Sequence, residues 1–89
     1  MVLAGHIHSY ERFLQDGITY LVSGGGGATP KLTQRDGRDL YMFPSAVNYH
    51  YVRLLLQEDK LVAEMIRVAE PSASVPEWEV RDRFEVKAP

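Results

Sequence analysis

Apolar and charged residues alternate with a period of two near the end of the chain, over residues 78–87. Every second side chain of an extended strand lies on the same face, so this pattern predicts a closing strand with one face in solvent. Asp82 interrupts the apolar positions, and we expect a bend there. The apolar positions are Trp78, Val80, Phe84 and Val86, and the charged positions between them are Glu79, Arg81, Arg83 and Glu85.

Residues 49–68 carry a pattern that fits two secondary structures. Their apolar residues fall at roughly helical spacing, and many of the residue types favour a helix. Residues 49–52, in contrast, begin like a strand, and the polar residues 57–60 fit a turn. We interpret the stretch as a β-hairpin that pairs Tyr49–Leu56 with Leu61–Val68, with a helix as the alternative.

The first 27 residues predict a hairpin followed by a glycine-rich connection. Asp16–Gly17 is a strong turn signal, because both residues tolerate the positive φ of tight hairpin turns. The β-branched and aromatic residues 18–22 predict a buried strand, which ends in a serine and the glycine run 24–27. We expect this run to be a flexible connection that needs unusual φ values. It does not match a phosphate-binding loop, because neither Gly-Lys-Ser/Thr nor a helical pattern follows it.

Two segments carry no regular pattern. Residues 28–48 predict an irregular excursion, with a turn at Asp36–Gly37 and an apolar stretch, residues 40–44, that must be buried. An excursion of this length could shape access to a site or cover a sheet edge, and the pattern favours neither. Residues 69–77 are rich in proline and serine and predict a linker or surface loop.

Length and composition place the chain among small globular proteins. Its 89 residues suit one small domain or part of a larger one, and its hydrophobic content of 45% is too high for a disordered chain. The net charge of −2, with interspersed signs, argues against a nucleic-acid partner. The absence of cysteine excludes disulfides and thiolate metal sites. No membrane span or signal peptide is visible, so we expect a soluble protein of unknown compartment.

Two of the three histidines, His6 and His8, are candidate metal ligands, because neutral imidazole is a common ligand of divalent metals. Gly5 predicts a turn, on which the two rings can diverge toward two neighbouring ions, and it would also allow a close backbone approach. The spacing alone is a weak signal, because surface loops and packed rings share it. The third histidine, His50, is predicted to be packed and hydrogen-bonded, and we do not assign it as a ligand.

The residues after the histidines have structural roles in our interpretation. We expect Tyr10 to pack in the core. Glu11 and Arg12 either form an ion pair that braces the histidines or remain as two solvated charges, whose pairing would contribute little.

Residues 5–12, Gly-His-Ile-His-Ser-Tyr-Glu-Arg, are followed by a strand and the glycine run over residues 17–27. This order resembles the closing motif of the calcineurin-like metallophosphoesterases, and most closely the branch that includes the purple acid phosphatases. The resemblance is specific over residues 2–27 and looser over 49–68 and 82–87. It implies a mostly β fragment, made of antiparallel strands and hairpins with few or no helices, of an α/β four-layer sandwich.

The resemblance also implies a chemistry. It assigns His6 to one and His8 to the other of two divalent or trivalent metal ions, of the iron, zinc or manganese class, at a site that hydrolyses a phosphate ester. The other motifs of the family, which supply carboxylates, an asparagine and further histidines, do not occur in this sequence. We therefore expect the chain to be the C-terminal segment of a phosphoesterase domain, without a complete set of catalytic residues and inactive alone.

Two other functions fit the same sequence. The chain could be a non-catalytic β interaction module that forms homo-oligomers through exposed strand edges. Alternatively, His6 and His8 of two copies could supply four nitrogen ligands to an intermolecular zinc site. Light scattering tests the first of these, and elemental analysis with and without a chelator tests the second.

Overall fold

A computed structural model of the chain describes residues 1–27, 38–41 and 49–88. In these ranges the chain forms six strands and no helix, and the strands assemble into two three-stranded sheets. The prediction of a mostly β chain is therefore confirmed. The strands are β1 (Val2–Ala4), β2 (Tyr10–Gln15), β3 (Ile18–Ser23), β4 (His50–Leu56), β5 (Lys60–Val68) and β6 (Trp78–Lys87).

The first sheet has the strand order β1-β3-β2 and contains one parallel pair. β2 and β3 form the predicted hairpin, and its turn residues have positive φ values of 52° at Asp16 and 75° at Gly17. β1 runs parallel to β3, with Leu3 opposite Leu21, so the expected antiparallel pairing accounts for only part of this sheet. Because parallel strands end at the same edge of a sheet, the segments that follow β1 and β3 lie side by side.

The second sheet has the order β4-β5-β6 and is antiparallel throughout. β4 and β5 are the predicted hairpin, so the helical alternative is wrong. β5 is the central strand and is buried on both faces, at Val62 and Ala63 and again at Met65 and Ile66. Apolar pairs separated by one polar residue imitate a helical period, which explains why the pattern fitted both structures.

The closing strand β6 has the predicted bend at Asp82. Met65 lies opposite Asp82, and Ile66 lies opposite Val80, so β6 contains one extra residue between these two pairs. Such a bulge bends a strand and changes the direction of the neighbouring side chains. Asp82 follows the bulge on the same face as Phe84, which packs against the core between the sheets.

Among residues 1–27, 38–41 and 49–88, the buried hydrophobic cluster lies between the two sheets and is small. Both sheets contribute to it, and the burial of Tyr10 confirms that this residue packs in the core. A core of this size supports only modest stability, which makes individual contacts between the sheets important. The core cluster is Tyr10, Leu21, Tyr41 and Met65, with Val52 and Phe84 packed against it.

Of the predicted excursion, residues 28–48, the structure describes residues 38–41. Tyr41 is buried, but Leu40 is 48% exposed, so the prediction that this apolar stretch is buried is wrong at Leu40. The predicted turn at residues 36–37 and the rest of the stretch lie outside the described residues.

Residues 69–77 contain turns and bends but no strand, as predicted for a loop. Across the parts of the chain that the structure describes, no helix is long and apolar enough to cross a membrane.

Candidate metal-binding site

The loop between β1 and β2, residues 5–9, carries both candidate ligands, and we call it the histidine loop. Two consecutive three-residue turns form it. In the first turn the Ile7 N–H donates to the Gly5 carbonyl at 2.9 Å, and in the second the Ser9 N–H donates to the Ile7 carbonyl at 2.8 Å. Hydrogen bonds between residues two apart define γ-turns. The loop therefore contains two tight turns within five residues.

Each candidate ligand is the central residue of one turn. His6 has a φ of 75°, which is the positive value of the rarer and strained form of the γ-turn. A residue held in a sparsely populated backbone region costs on the order of 1–3 kcal/mol, and such residues cluster at functional sites. The predicted turn is confirmed, but the positive φ falls on His6 and not on Gly5.

The two histidines differ in exposure. His6 is exposed, whereas His8 is half-buried, and Ile7 between them is 50% exposed. Ser9, which follows, is buried with 1% exposure. The loop is thus anchored at its downstream end and open to solvent around its first turn, where a bound ion or substrate could approach the His6 imidazole.

The glycine run after β3 packs directly against the histidine loop. The Gly24 N–H donates to the Ser9 carbonyl at 3.0 Å. A β-carbon at Gly24 would overlap the carbonyl group of Ile7. Glycine is required at this position because a backbone segment, which cannot move aside as a side chain can, occupies the space.

This contact corrects two sequence-based predictions. None of the glycines in residues 24–27 has a positive φ, so the run does not supply the unusual backbone angles that we predicted. Gly5 does not supply the close approach either, because a β-carbon there would lie 3.8 Å from the Ser23 carbonyl oxygen, an ordinary contact. The glycine that a close backbone approach requires is instead Gly24, which lies against the Ile7 carbonyl.

His50 lies beside the glycine run as a packed ring, as predicted. It is 2% exposed, and its Nε2 lies 3.0 Å from Ser23 Oγ. Its ring contacts the Tyr10 ring edge-on, with 5.7 Å between the centroids, and a β-carbon at Gly25 would overlap it. The third histidine is therefore engaged in packing and a hydrogen bond at the same end of the first sheet.

Asp82 joins the residues after the histidine loop to the second sheet. Its Oδ2 accepts hydrogen bonds from Tyr10 Oη at 2.7 Å and from Arg12 Nε at 2.9 Å, and its Oδ1 accepts one from Arg12 Nη2 at 3.1 Å. The Arg12 guanidinium also lies 4.8 Å from the centre of the Phe84 ring, within range of a cation–π contact. Arg12 therefore pairs with Asp82 of the second sheet, and the ion pair between Glu11 and Arg12 stays a prediction.

The Tyr10 hydroxyl is held as a neutral donor. Burial raises the pKa of Tyr10 above its ordinary value, and the hydrogen bond to Asp82 raises it further, because an ionised phenol could not donate to a carboxylate. The hydrogen bond from Tyr10 to Asp82 therefore persists across the neutral and mildly alkaline range.

A second carboxylate, Asp39, fixes the backbone of β2. Its Oδ1 accepts the Arg12 N–H at 3.1 Å and the Tyr41 N–H at 2.9 Å, and the Leu40 N–H donates to the Arg12 carbonyl at 2.7 Å. Sequence reasoning did not find a role for Asp39. It did single out Asp82, because this carboxylate interrupts the apolar positions of the closing strand. That interruption was the available sign that Asp82 has a partner in the interior.

The donor set around the histidine loop is partial. Within residues 1–27, 38–41 and 49–88, no group of three or more His, Asp or Glu side chains is placed to hold a metal ion. His6 and His8 are suitable nitrogen ligands by their chemistry and lie on one short loop, so they fit part of a metal site. Comparisons with models of protein families, with curated proteins and with solved structures found no match.

Proposed function

We propose that this chain is the C-terminal segment of a metal-dependent phosphoesterase, in which His6 binds one metal ion and His8 a second. The observation that supports the proposal is the strained loop itself. Two successive γ-turns put a histidine at the centre of each, and one of these has a positive φ of 75°. Residues in strained backbone conformations cluster at functional sites, and His6 holds such a conformation next to a glycine that would adopt it more readily.

The residues of the chain have distinct parts in the proposed site. His6 and His8 would each provide one neutral imidazole nitrogen, so acid should weaken metal binding. Tyr10 and Arg12 hold the downstream end of the loop through Asp82, and Gly24 supports it from the side. The metal ions, when bound, would activate water and neutralise the charge of a phosphate ester.

The chain is proposed to be catalytically incomplete by itself. A two-metal hydrolytic site needs more ligands than two imidazoles, and the family resemblance assigns the bridging carboxylate to a motif that this sequence lacks. The remaining ligands would come from the rest of a longer polypeptide. The isolated 89-residue chain should therefore show no metal-dependent hydrolysis of p-nitrophenyl phosphate.

The decisive experiment uses the longer polypeptide encoded with this segment. His6→Ala and His8→Ala should each lower metal-dependent phosphoesterase activity by at least about a hundredfold, the upper range for loss of groups that tune a metal site. His50→Ala does not remove a proposed ligand and is a control for damage at the same end of the sheet. Full activity in both loop variants, or turnover by the isolated chain, would contradict the proposal.

A non-catalytic β interaction module is the second candidate, and the exposed apolar side chains favour it. Leu56 at the end of β4 is 87% exposed, and Leu14 and Leu3 in the first sheet are 60% and 56% exposed. Large apolar side chains exposed on strands would be covered if those strands paired with a second copy. In this function the chain would form homo-oligomers, and metal bound by His6 and His8 of two copies would strengthen them.

Light scattering with a matched pair of variants tests this second candidate. Leu56→Lys should lower the oligomer mass, because it places a charge on the exposed strand. Val75→Lys, at a position that is 74% exposed but in the loop before β6, should leave the mass unchanged. A monomer at all concentrations, with and without Zn²⁺, would rule out self-association.

A further inference from the structure

The carboxylate of Asp82 is the point at which the second sheet holds the chain that leaves the histidine loop. It accepts three hydrogen bonds, one from Tyr10 and two from Arg12, across 72 and 70 positions of sequence. The Arg12 and Asp82 side chains are only 18% and 13% exposed. A charge pair with so little solvent contact is weak evidence for added stability, but its geometry is specific.

The geometry of Arg12 is restricted from two directions. Its Nε and Nη2 donate to the two oxygens of Asp82, which is the bidentate arrangement that guanidinium and carboxylate groups favour. The Phe84 ring lies against the guanidinium, and Phe84 shares a face of β6 with Asp82. Arg12 is therefore fixed in one orientation relative to the second sheet.

The Tyr10 hydrogen bond carries this restraint to the histidine loop. Tyr10 is fully buried and is the first residue of β2, directly after Ser9, whose N–H closes the turn around His8. The Ser9 carbonyl accepts the Gly24 N–H. Only two peptide units separate the anchored Tyr10 from His8, so movement of Tyr10 would move the second turn.

Resting on the proposed function of this loop, we propose that Asp82 is a positioning residue for the ligands His6 and His8. Its carboxylate holds Tyr10 and Arg12, and through them it fixes the two γ-turns in the orientation that metal binding requires. Asp82 itself touches neither metal nor substrate in this scheme. The bulge in β6 supports the assignment, because it sets Asp82 on the inner face of the second sheet, facing the first.

The test compares backbone order in the histidine loop with order elsewhere in the folded 89-residue chain. Tyr10→Phe removes one hydrogen bond to Asp82, and Asp82→Asn replaces one accepting oxygen with a donor. In both variants, the ¹⁵N order parameters of residues 6–8 should fall from near 0.85 toward about 0.6, whereas those of β5 should stay unchanged. Asp82→Glu should recover part of the lost order, because it restores the carboxylate.

A matched control separates positioning from general stabilisation. Glu79 is also a carboxylate of β6 with an arginine partner, Arg67, at 2.8 Å. Glu79→Gln should leave the order parameters of residues 6–8 unchanged. Order parameters of these residues that stay at the wild-type value in Tyr10→Phe would overturn the proposal, and this variant decides the matter if Asp82→Asn does not fold.

Titration with Zn²⁺, followed by the NMR signals of the imidazole rings, distinguishes failure of the positioning role from failure of the proposed function. In the wild-type chain both His6 and His8 signals should shift, and Tyr10→Phe should weaken Zn²⁺ affinity about fivefold or more. Unshifted wild-type rings would count against the proposed metal site, while the order parameters would still decide the role of Asp82. Equal Zn²⁺ affinity in wild-type and Tyr10→Phe chains would overturn the positioning role.

Discussion

The first sheet contains two chain reversals, and both include residues with positive φ. They differ in the type of residue that has the positive φ. The turn between β2 and β3 places it on Asp16 and Gly17, two residue types that tolerate it. The histidine loop places it on His6, although Gly5 is adjacent. The turn is thus explained by its own residues, whereas the loop depends on contacts from elsewhere in the chain.

The contacts around each reversal explain why one needs suitable residues only and the other needs the rest of the chain. A β-carbon at Gly17 would meet no atom within 4 Å, so only backbone conformation demands glycine there. The histidine loop is instead held by Gly24 from the glycine run and by Asp82 from the second sheet. A local turn needs suitable residues only, but a strained loop needs a surrounding structure that enforces it.

The largest expected effect follows from breaking the contact between the loop's anchor and the second sheet. Arg12→Ala leaves the largely buried Asp82 carboxylate without its charge partner, and should lower the free energy of unfolding by about 3–5 kcal/mol. Urea denaturation measures this change. The control is Arg53→Ala, which removes an arginine that is 51% exposed in its pair with Glu64 and should cost far less stability, because solvent screens the pair. Equal losses in the two variants would show that the loop does not depend on the second sheet.

A smaller loss is expected when the glycine run is pushed away from the histidine loop. Gly24→Ala forces its methyl group against the Ile7 carbonyl and should destabilise the chain by about 2–3 kcal/mol. In Gly27→Ala the added methyl group meets nothing within 4 Å, so its effect should stay within about 0.5 kcal/mol. Thermal unfolding of both variants measures the difference. A tolerated Gly24→Ala would mean that the loop is free to shift.

Alkaline pH should lower the stability of the folded chain through Tyr10, because only the unfolded chain ionises this residue. Its pKa is raised in the folded chain, so above about pH 10 the unfolded chain loses a proton that the folded chain retains. Tyr10 therefore contributes a fall in the free energy of unfolding of up to about 1.4 kcal/mol per pH unit above that pH, and its contribution is fully present below it. Urea denaturation between pH 9 and 11 should show a shallower fall in Tyr10→Phe. An equally steep fall in Tyr10→Phe and in the wild type would contradict this role of Tyr10.

The smallest effects compare the two positive-φ sites directly. His6→Gly removes the strained side chain, but it also adds entropy to the unfolded chain. Because these two effects oppose each other, the free energy of unfolding should lie between the wild-type value and about 1 kcal/mol above it. Gly17→Ala places a β-carbon at a φ of 75° and should lose about 1 kcal/mol. Opposite signs in thermal unfolding would confirm the comparison. A clear loss of stability in His6→Gly would show that the imidazole has a structural role.

Much of the fold could be predicted from local patterns. Asp16–Gly17 predicted the first hairpin, and the alternation around Phe84 predicted the closing strand and its bend at Asp82. The hairpin of β4 and β5 was ambiguous, because a central strand buried on both faces loses the period of two. The parallel pairing of β1 with β3 was not predicted, since a three-residue strand carries too little pattern to choose a partner.

The candidate site was predictable only in part. The assignment of His6 and His8 as ligands, made from their spacing and neighbours, stays a prediction, whereas the packed state of His50 was predicted and is confirmed. Which glycine is required could not be predicted, because a close approach between Gly24 and the Ile7 carbonyl joins two separate segments.

The sequence by itself determined the closing strand and the turn between β2 and β3, because period-two alternation and turn chemistry act over a few neighbouring residues. It also supplied the candidate ligands through their spacing and neighbours. Only the tertiary structure decided that His6 carries the strain and that Asp82 and Gly24 hold the loop in place. The physical reason is distance along the chain. The Tyr10–Asp82 hydrogen bond joins residues 72 positions apart, and it exists only once the two sheets have packed together.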